Sequence, residues 1–124
     1  MSDLIDHISI SVTDFVKAQI FYGPVLELLG FGNPCDFDGI LGYQSAKTTT
    51  MILLFLVNSA PSTPLHVAFR AQSKAQVQKF YDVAMAHGGT DNGAPGLRPD
   101  YGDNYYGAFV LDPDGNNVEF VARL

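Results

Sequence analysis

Two stretches of this chain repeat each other at a constant offset of 59 residues, and each opens with a histidine. The first begins His7-Ile-Ser-Ile-Ser-Val and the second begins His66-Val-Ala-Phe-Arg-Ala. The pair Phe21-Tyr22 recurs as Phe80-Tyr81 at the same spacing. A duplicated strand–helix unit relates the two histidines by pseudo-symmetry, so both could contribute to a single metal site.

Each histidine is expected on the polar face of a strand. Along residues 4–12 the branched aliphatic side chains occupy alternate positions, and His7 falls on the opposite face. Residues 65–71 repeat this alternation, with His66 and Arg70 on the less apolar face. Each strand therefore offers one face to a core and a second face to functional side chains.

The pattern predicts an α+β fold of two paired βαβββ modules, with eight strands that form a cup. The modules span about 1–58 and 65–124 of one domain, 1–124, and are joined by a linker over 58–64. Expected strands after the first helix lie at about 31–37, 40–46 and 50–57. In the second module, a helix over about 74–87 precedes a loop-rich stretch, 90–104, and strands 105–111 and 117–123 flank an Asp112–Gly115 turn.

Glu119 lies in the final predicted strand between Val118 and Phe120. A carboxylate in this position requires an explanation, because burying an unpaired charge is costly. His7, His66 and Glu119 each fall on the less apolar face of a strand. Two imidazoles and one carboxylate form a facial triad that leaves metal positions open, which suits divalent Fe, Mn, Zn, Ni or Co.

The chain resembles the vicinal oxygen chelate superfamily, which includes glyoxalase I, extradiol dioxygenases, fosfomycin-resistance enzymes and bleomycin-binding proteins. Three segments carry the resemblance: Asp6-His-Ile-Ser-Ile-Ser-Val-Thr-Asp14, Leu65-His-Val-Ala-Phe69, and Tyr106-Gly-Ala-Phe-Val-Leu-Asp-Pro-Asp-Gly-Asn-Asn-Val-Glu119. The resemblance implies paired βαβββ modules around a divalent metal, with His7, His66 and Glu119 at ligand positions. It also implies a homodimer.

The chain departs from glyoxalase I at one ligand position. That enzyme takes a fourth ligand, a glutamate, from the last strand of its first module, where this chain has Leu53. The extradiol dioxygenases also use a further acid–base histidine, and His87 is expected at a helix end instead. The sequence leaves open a lyase or isomerase, a dioxygenase, a thiol transferase, or a metal-free binding protein of the bleomycin-resistance type.

Several further residues are candidates for contact with a small-molecule substrate. Arg98 precedes an aromatic-rich loop that contains Tyr101, and its guanidinium could clamp a carboxylate or phosphate. Arg70 shares the face of His66 and could reach the rim of the cup. Tyr106 is a candidate catalytic phenol alongside Glu119.

Composition excludes other classes of partner. The formal charge is −6 and no basic cluster is present, which argues against nucleic acid and against anionic membranes. The chain has one cysteine, Cys35, and begins without the basic and apolar regions of a signal peptide. We therefore expect a cytoplasmic protein.

Overall fold

The computed structural model of the chain describes residues 5–36, 40–47, 50–56 and 64–124, with the backbone alone for 53–56. The chain divides into two compact units, Met1–Thr63 and Pro64–Leu124. The predicted linker over 58–64 lies outside the described residues except for Pro64. The first unit contains β1 (His7–Val12), α1 (Phe15–Leu28), β2 (Cys35–Asp36), β3 (Ile40–Gln44) and β4 (Met51–Leu56). The second contains β5 (His66–Arg70), α2 (Lys74–Ala86), β6 (Thr90–Leu97), β7 (Tyr105–Leu111) and β8 (Asn117–Arg123).

Both units have the same βαβββ topology. The strand order is β1-β4-β3-β2 in the first sheet and β5-β8-β7-β6 in the second. In each sheet the first strand runs parallel to the last strand of its unit, and the other neighbours are antiparallel. The predicted α+β class with eight strands in two modules is confirmed.

The two helices begin at side-chain caps. Asp14 Oδ1 accepts hydrogen bonds from the backbone N–H groups of Val16 and Lys17, which identifies Asp14 as the cap of α1. The Ser73 hydroxyl accepts a hydrogen bond from the Gln76 N–H at the start of α2. Among the described residues, no helix is long and apolar enough to cross a membrane.

The second sheet has two distinct faces. One packs on α2, where the Phe80 ring lies 5.5 Å from the Phe120 ring and Val118 is fully buried. Because side chains alternate along a strand, Glu119 of β8 points to the opposite face. We call that second face the site face, and His66 at the start of β5 shares it.

Residues 90–104 contain more regular structure than the expected loop-rich stretch. Thr90–Leu97 forms β6, whose pairing with β7 shifts register around Gly93. Strand β6 lies at the edge of the sheet, a position where a proline such as Pro95 is tolerated because it need not donate a hydrogen bond to a neighbouring strand. The φ of +148° at Gly93 is a backbone conformation that glycine adopts readily. The glycine and proline content thus marks an irregular edge strand, which precedes a 3-10 turn, Pro99–Tyr101.

A buried polar turn ties β7, β8 and β5 together. Asp112 Oδ1 accepts hydrogen bonds from the backbone N–H groups of Asp114 and Asn116 at 2.9 and 2.8 Å. Asn116 in turn accepts the N–H of Leu65 at 2.8 Å, and the Asn117 N–H donates to the Leu65 carbonyl at 2.8 Å. These bonds hold the start of β5 against β8, and so place His66 near Glu119.

Replacing Asn116 with alanine should lower the free energy of unfolding by about 1–3 kcal/mol. The substitution would remove the acceptor of the Leu65 N–H and the amide that donates to Asp112 Oδ2 in a buried region, while the backbone bonds to Asp112 Oδ1 remain. Urea denaturation would measure the effect, with exposed Asp103→Ala as the control. A loss no greater than the control's would contradict this role for the turn.

Candidate functional site

The candidate site is centred on a buried carboxylate. Glu119 is 2% exposed. Its neighbours across the sheet are Ala68 on β5 and Phe109 on β7. A carboxyl group at this depth is stable only if its oxygens have hydrogen-bond partners.

Two side chains satisfy the Glu119 carboxylate. His66 Nε2 lies 2.9 Å from Oε1, and the Tyr105 hydroxyl donates a hydrogen bond to Oε2. The His66 side chain is 55% exposed, so the carboxylate is buried while the imidazole remains accessible. The result is a histidine–glutamate–tyrosine cluster whose histidine side can be reached by a ligand.

The surroundings of Tyr105 keep its hydroxyl protonated. Burial, followed by the hydrogen bond to Glu119 and the charge of that carboxylate, raises the pKa of Tyr105 to about 12, against an opposing effect of Arg123. At neutral pH the phenol therefore acts as a hydrogen-bond donor, and its donor proton points at Glu119.

A glycine on β7 makes room for this cluster. A Cβ at Gly107 would lie 3.2 Å from Tyr105 Cε1 and 3.5 Å from Glu119 Oε2. The first distance is tighter than ordinary van der Waals contact, so a side chain here would push the Tyr105 ring. The absence of a side chain at Gly107 thus lets phenol and carboxylate meet.

Two hollows lie side by side on the site face. The first, about 390 Å³, adjoins the carboxylate and is lined by His66, Tyr101, Tyr105, Phe109, Glu119 and Arg123. The second, about 310 Å³, is lined by Asn92, Gly93, Arg98, Tyr101, Phe109 and Asn117. Tyr101 and Phe109 border both, so one ligand could extend across them.

The predicted catalytic tyrosine, Tyr106, lies on the other face of β7. It is buried, and its hydroxyl accepts a hydrogen bond from Gln78 Nε2 on α2 at 3.1 Å. Lys74 of the same helix lies 5.4 Å from the centroid of its ring. The structure brings Tyr105, and not Tyr106, to Glu119.

A signal for Tyr105 was present in the sequence. The turn over 112–115 pairs Leu111 with Asn117 and therefore Phe109 with Glu119. Counting back by two along β7 places Tyr105 on the face of Glu119 and Tyr106 on the face of α2. The same count along β8 places Arg123 on the face of Glu119. Its guanidinium lies 5.0 Å from the centroid of the Tyr105 ring.

The predicted substrate contacts fall on the site face. Tyr101 is 61% exposed and its ring lies 5.3 Å from that of Tyr105. Arg98 lies over Phe109, 5.4 Å from the ring centroid, and its Nη2 donates to the backbone carbonyls of Ala94 and Gly107. Arg70 is exposed on β5, four residues beyond His66.

The first unit repeats the backbone of the site but not its carboxylate. In register, His7 pairs with Met51 as His66 pairs with Asn117. Ser9 pairs with Leu53 as Ala68 pairs with Glu119. Leu53 is therefore the counterpart of Glu119, which agrees with the sequence alignment of the two strands. The exposed His7 has its Nδ1 2.8 Å from Asp6 Oδ2.

The His66–Glu119 pair fits two ligands of a metal ion. Metal–ligand bonds of about 2.0–2.2 Å at a right angle separate the two donor atoms by about 3 Å, close to the 2.9 Å between His66 Nε2 and Glu119 Oε1. In the part of the chain that the structure describes, no three His, Cys, Asp or Glu side chains lie close enough to hold a metal. A third donor must complete such a site.

Comparison with known proteins assigns the family. The sequence profile of the Glyoxalase/Bleomycin resistance protein/Dioxygenase superfamily matches residues 4–120. The chain belongs to this superfamily. Divalent metals are common among its members, which generally bind small molecules and are often dimeric. The resemblance inferred from the histidine repeat and the 106–119 segment is confirmed.

Solved structures of the superfamily share the fold. A glyoxalase/bleomycin resistance protein from Albidiferax ferrireducens T118 is 28% identical, with a TM-score of 0.83 over 98% of this chain and 100% of its own. A glyoxalase-related enzyme from Fulvimarina pelagi is 20% identical, with a TM-score of 0.77 over 98% and 88%. A family enzyme from Burkholderia phytofirmans PsJN is 22% identical, with a TM-score of 0.74 over 96% and 98%. A search of curated proteins finds no match.

Tyr105 should ionise late in a spectrophotometric titration of the tyrosines. Tyr105→Phe should delete a component with a pKa of about 12, and Glu119→Gln should move that component to lower pH, because burial then acts without the carboxylate. The pKa of Tyr105 is higher in the folded chain than in the unfolded chain. Its contribution to the free energy of unfolding is therefore fully present below about pH 10 and is lost as the pH rises towards 12. Absorbance at the phenolate band would follow both effects. An unchanged late component in Glu119→Gln would contradict the contact.

Proposed function

We propose that this chain is a divalent-metal-dependent enzyme of the glyoxalase superfamily that acts on a small substrate with vicinal oxygens. One observation carries the proposal: His66 Nε2 and Glu119 Oε1 are 2.9 Å apart on a face where the imidazole is accessible. A histidine and a carboxylate so arranged are two of the three donors of an open metal site.

The proposed ligands are His66, Glu119 and His7, with His7 supplied by the same chain or by a second copy. His7 is a reasonable third donor because it is exposed and occupies on β1 the register position that His66 occupies on β5. Zn, Ni, Mn, Fe and Co all suit this donor set. When bound, the metal would act as a Lewis acid towards the substrate oxygens.

Side chains of the second unit would orient the substrate and hold protons. Glu119 is the proposed catalytic carboxylate, and it lines the first hollow together with His66 and Tyr105. Tyr105, in place of Tyr106, would keep that carboxylate oriented through its hydroxyl. Arg98, Arg70 and Tyr101 remain proposed substrate contacts.

The first unit argues against the glyoxalase I reaction itself. In the register of β4, Leu53 stands where Glu119 stands in β8, so the first unit supplies no carboxylate ligand or base at this position. A dioxygenase of the extradiol type would need a further acid–base histidine. His87 caps the C-terminus of α2 instead, with Nδ1 2.7 Å from the Val83 carbonyl. The reaction we propose is therefore of the lyase or isomerase type without the fourth ligand of glyoxalase I, or of a dioxygenase type that uses no acid–base histidine.

A metal-free binding protein is the second candidate function. Both Glu119 oxygens already have partners within the chain, His66 and Tyr105, so the cluster is electrostatically satisfied as it stands. The same two hollows would then sequester a small molecule without chemistry.

We further propose a cytoplasmic homodimer. The exposed free thiol of Cys35 suits a reducing compartment. Superfamily members are often dimeric.

Metal binding tests the proposal directly. Elemental mass spectrometry on protein equilibrated with Zn, Ni, Mn, Fe or Co should find about one ion per chain. His66→Ala and Glu119→Gln should each weaken binding at least tenfold, because each removes a donor from the pair. His7→Ala should do the same if His7 is the third ligand.

His87→Gln is the matched control, since it removes a histidine that lies at the end of α2. It should bind metal as the wild type does. No binding of any of these metals by the wild type, or equal loss in His87→Gln, would contradict the enzyme proposal and leave the binding protein.

A further inference from the structure

All three arginines of this acidic chain lie in the second unit. They are Arg70, Arg98 and Arg123, in a chain with a formal charge of −6. Two lysines lie in the first unit, Lys17 on α1 and Lys47 after β3, and the other two, Lys74 and Lys79, lie on α2 of the second unit. Within the second unit the lysines therefore lie on α2, and no arginine does.

The arginines share the site face of the second sheet. Arg70 alternates with the buried side chains of β5 and lies on the side of His66. Arg123 borders the hollow that contains Glu119. Arg98 borders the neighbouring hollow and lies over the Phe109 ring.

None of these arginines forms an ion pair with a carboxylate among the described residues. Glu119 bonds to His66 and Tyr105 instead. Hydrogen bonds from the Gly93 N–H and the Tyr81 hydroxyl lower the pKa of Asp91, and the charge of Arg98 adds a smaller effect in the same direction. The site face therefore holds guanidinium groups without an ion-pair contact to any carboxylate that the structure describes.

Arg98 also has unused hydrogen-bonding capacity. Its Nη2 donates to the Ala94 and Gly107 carbonyls, while its buried Nε has no partner among the described residues. A guanidinium carries five N–H donors in a planar fork that matches a carboxylate. The two backbone carbonyls hold this fork in place at the edge of the hollow.

Flat aromatic surface connects the two hollows. Phe109 and Tyr101 border both of them, and the Phe109 ring also lies 6.3 Å from the His66 ring. A planar ring placed against these side chains would gain stacking and apolar burial. Such a ring would lie where the Arg98 hollow adjoins the hollow of Glu119.

We propose that the ligand of this face is a small ring-bearing carboxylate, whose anionic group lies in the Arg98 hollow and whose ring lies against Phe109 and Tyr101. This inference rests on the proposed function for the reacting end of the molecule, at His66 and Glu119. The anion-binding end depends on the arginine hollow alone, so it can be tested without a metal.

Benzoate is the probe, with benzamide and cyclohexanecarboxylate as matched compounds that lack the charge and the flat ring. In nitrogen-15 NMR titrations of the metal-free chain, benzoate should shift the amide signals of Gly93 and Gly107, and these shifts should saturate. The two matched compounds should bind at least tenfold more weakly. Equal binding of benzamide, or shifts confined to other parts of the chain, would overturn the proposal.

Variants separate this site from the metal site. Arg98→Gln should weaken benzoate binding at least tenfold, and so should Asn92→Asp, which adds a negative charge to the same hollow with little change in shape. Lys79→Gln makes the charge change of Arg98→Gln on α2 and should bind normally. Equal effects of Lys79→Gln and Arg98→Gln, with Asn92→Asp unchanged, would overturn the proposal.

The two proposals can fail separately. Benzoate binding is measured on the metal-free chain and metal binding is measured without benzoate, so neither result depends on the other. Benzoate binding by a chain that binds no metal would overturn the proposed enzyme and support the anion site. Metal binding without any preference for benzoate would overturn the anion site alone.

Discussion

Burial of the Glu119 carboxylate is the constraint on which the second unit depends. At 2% exposure it needs a partner for each oxygen, and the neighbouring strands supply them as His66 and Tyr105. The arrangement depends on the register of β5, β7 and β8, which the buried Asp112–Asn116 turn stabilises. A side chain at position 107 would crowd the Tyr105 ring. A short turn motif and a glycine thus serve the site without touching a ligand.

The duplication is symmetrical in backbone and asymmetrical in chemistry. Both units place a histidine at the start of their first strand, beside a parallel final strand. The final strand carries Glu119 in the second unit and Leu53 at the equivalent register position of the first, so the first unit has no carboxylate at that position. This asymmetry is the reason that we propose a three-ligand site and a reaction other than that of glyoxalase I.

Much of the fold could be predicted because its signals are local. Alternation and the 112–115 turn gave β7 and β8 with the bounds that the structure shows. Whether Tyr105 or Tyr106 faces Glu119 depends on how β7 pairs with β8 across the hairpin. The prediction considered the tyrosines without this pairing and selected Tyr106, which faces α2. The setting of Arg98 depends on β6, an edge strand whose glycines and proline are typical of a loop.

The most direct test of the account is an anomalous diffraction map from crystals of the protein grown with Zn²⁺ or Ni²⁺. The account predicts one peak per chain at about 2.0–2.2 Å from both His66 Nε2 and a Glu119 oxygen. A third ligand atom in the same map would show whether His7 comes from the same chain or from another. Ordered peaks at other residues, with none between His66 and Glu119, would contradict the central claim.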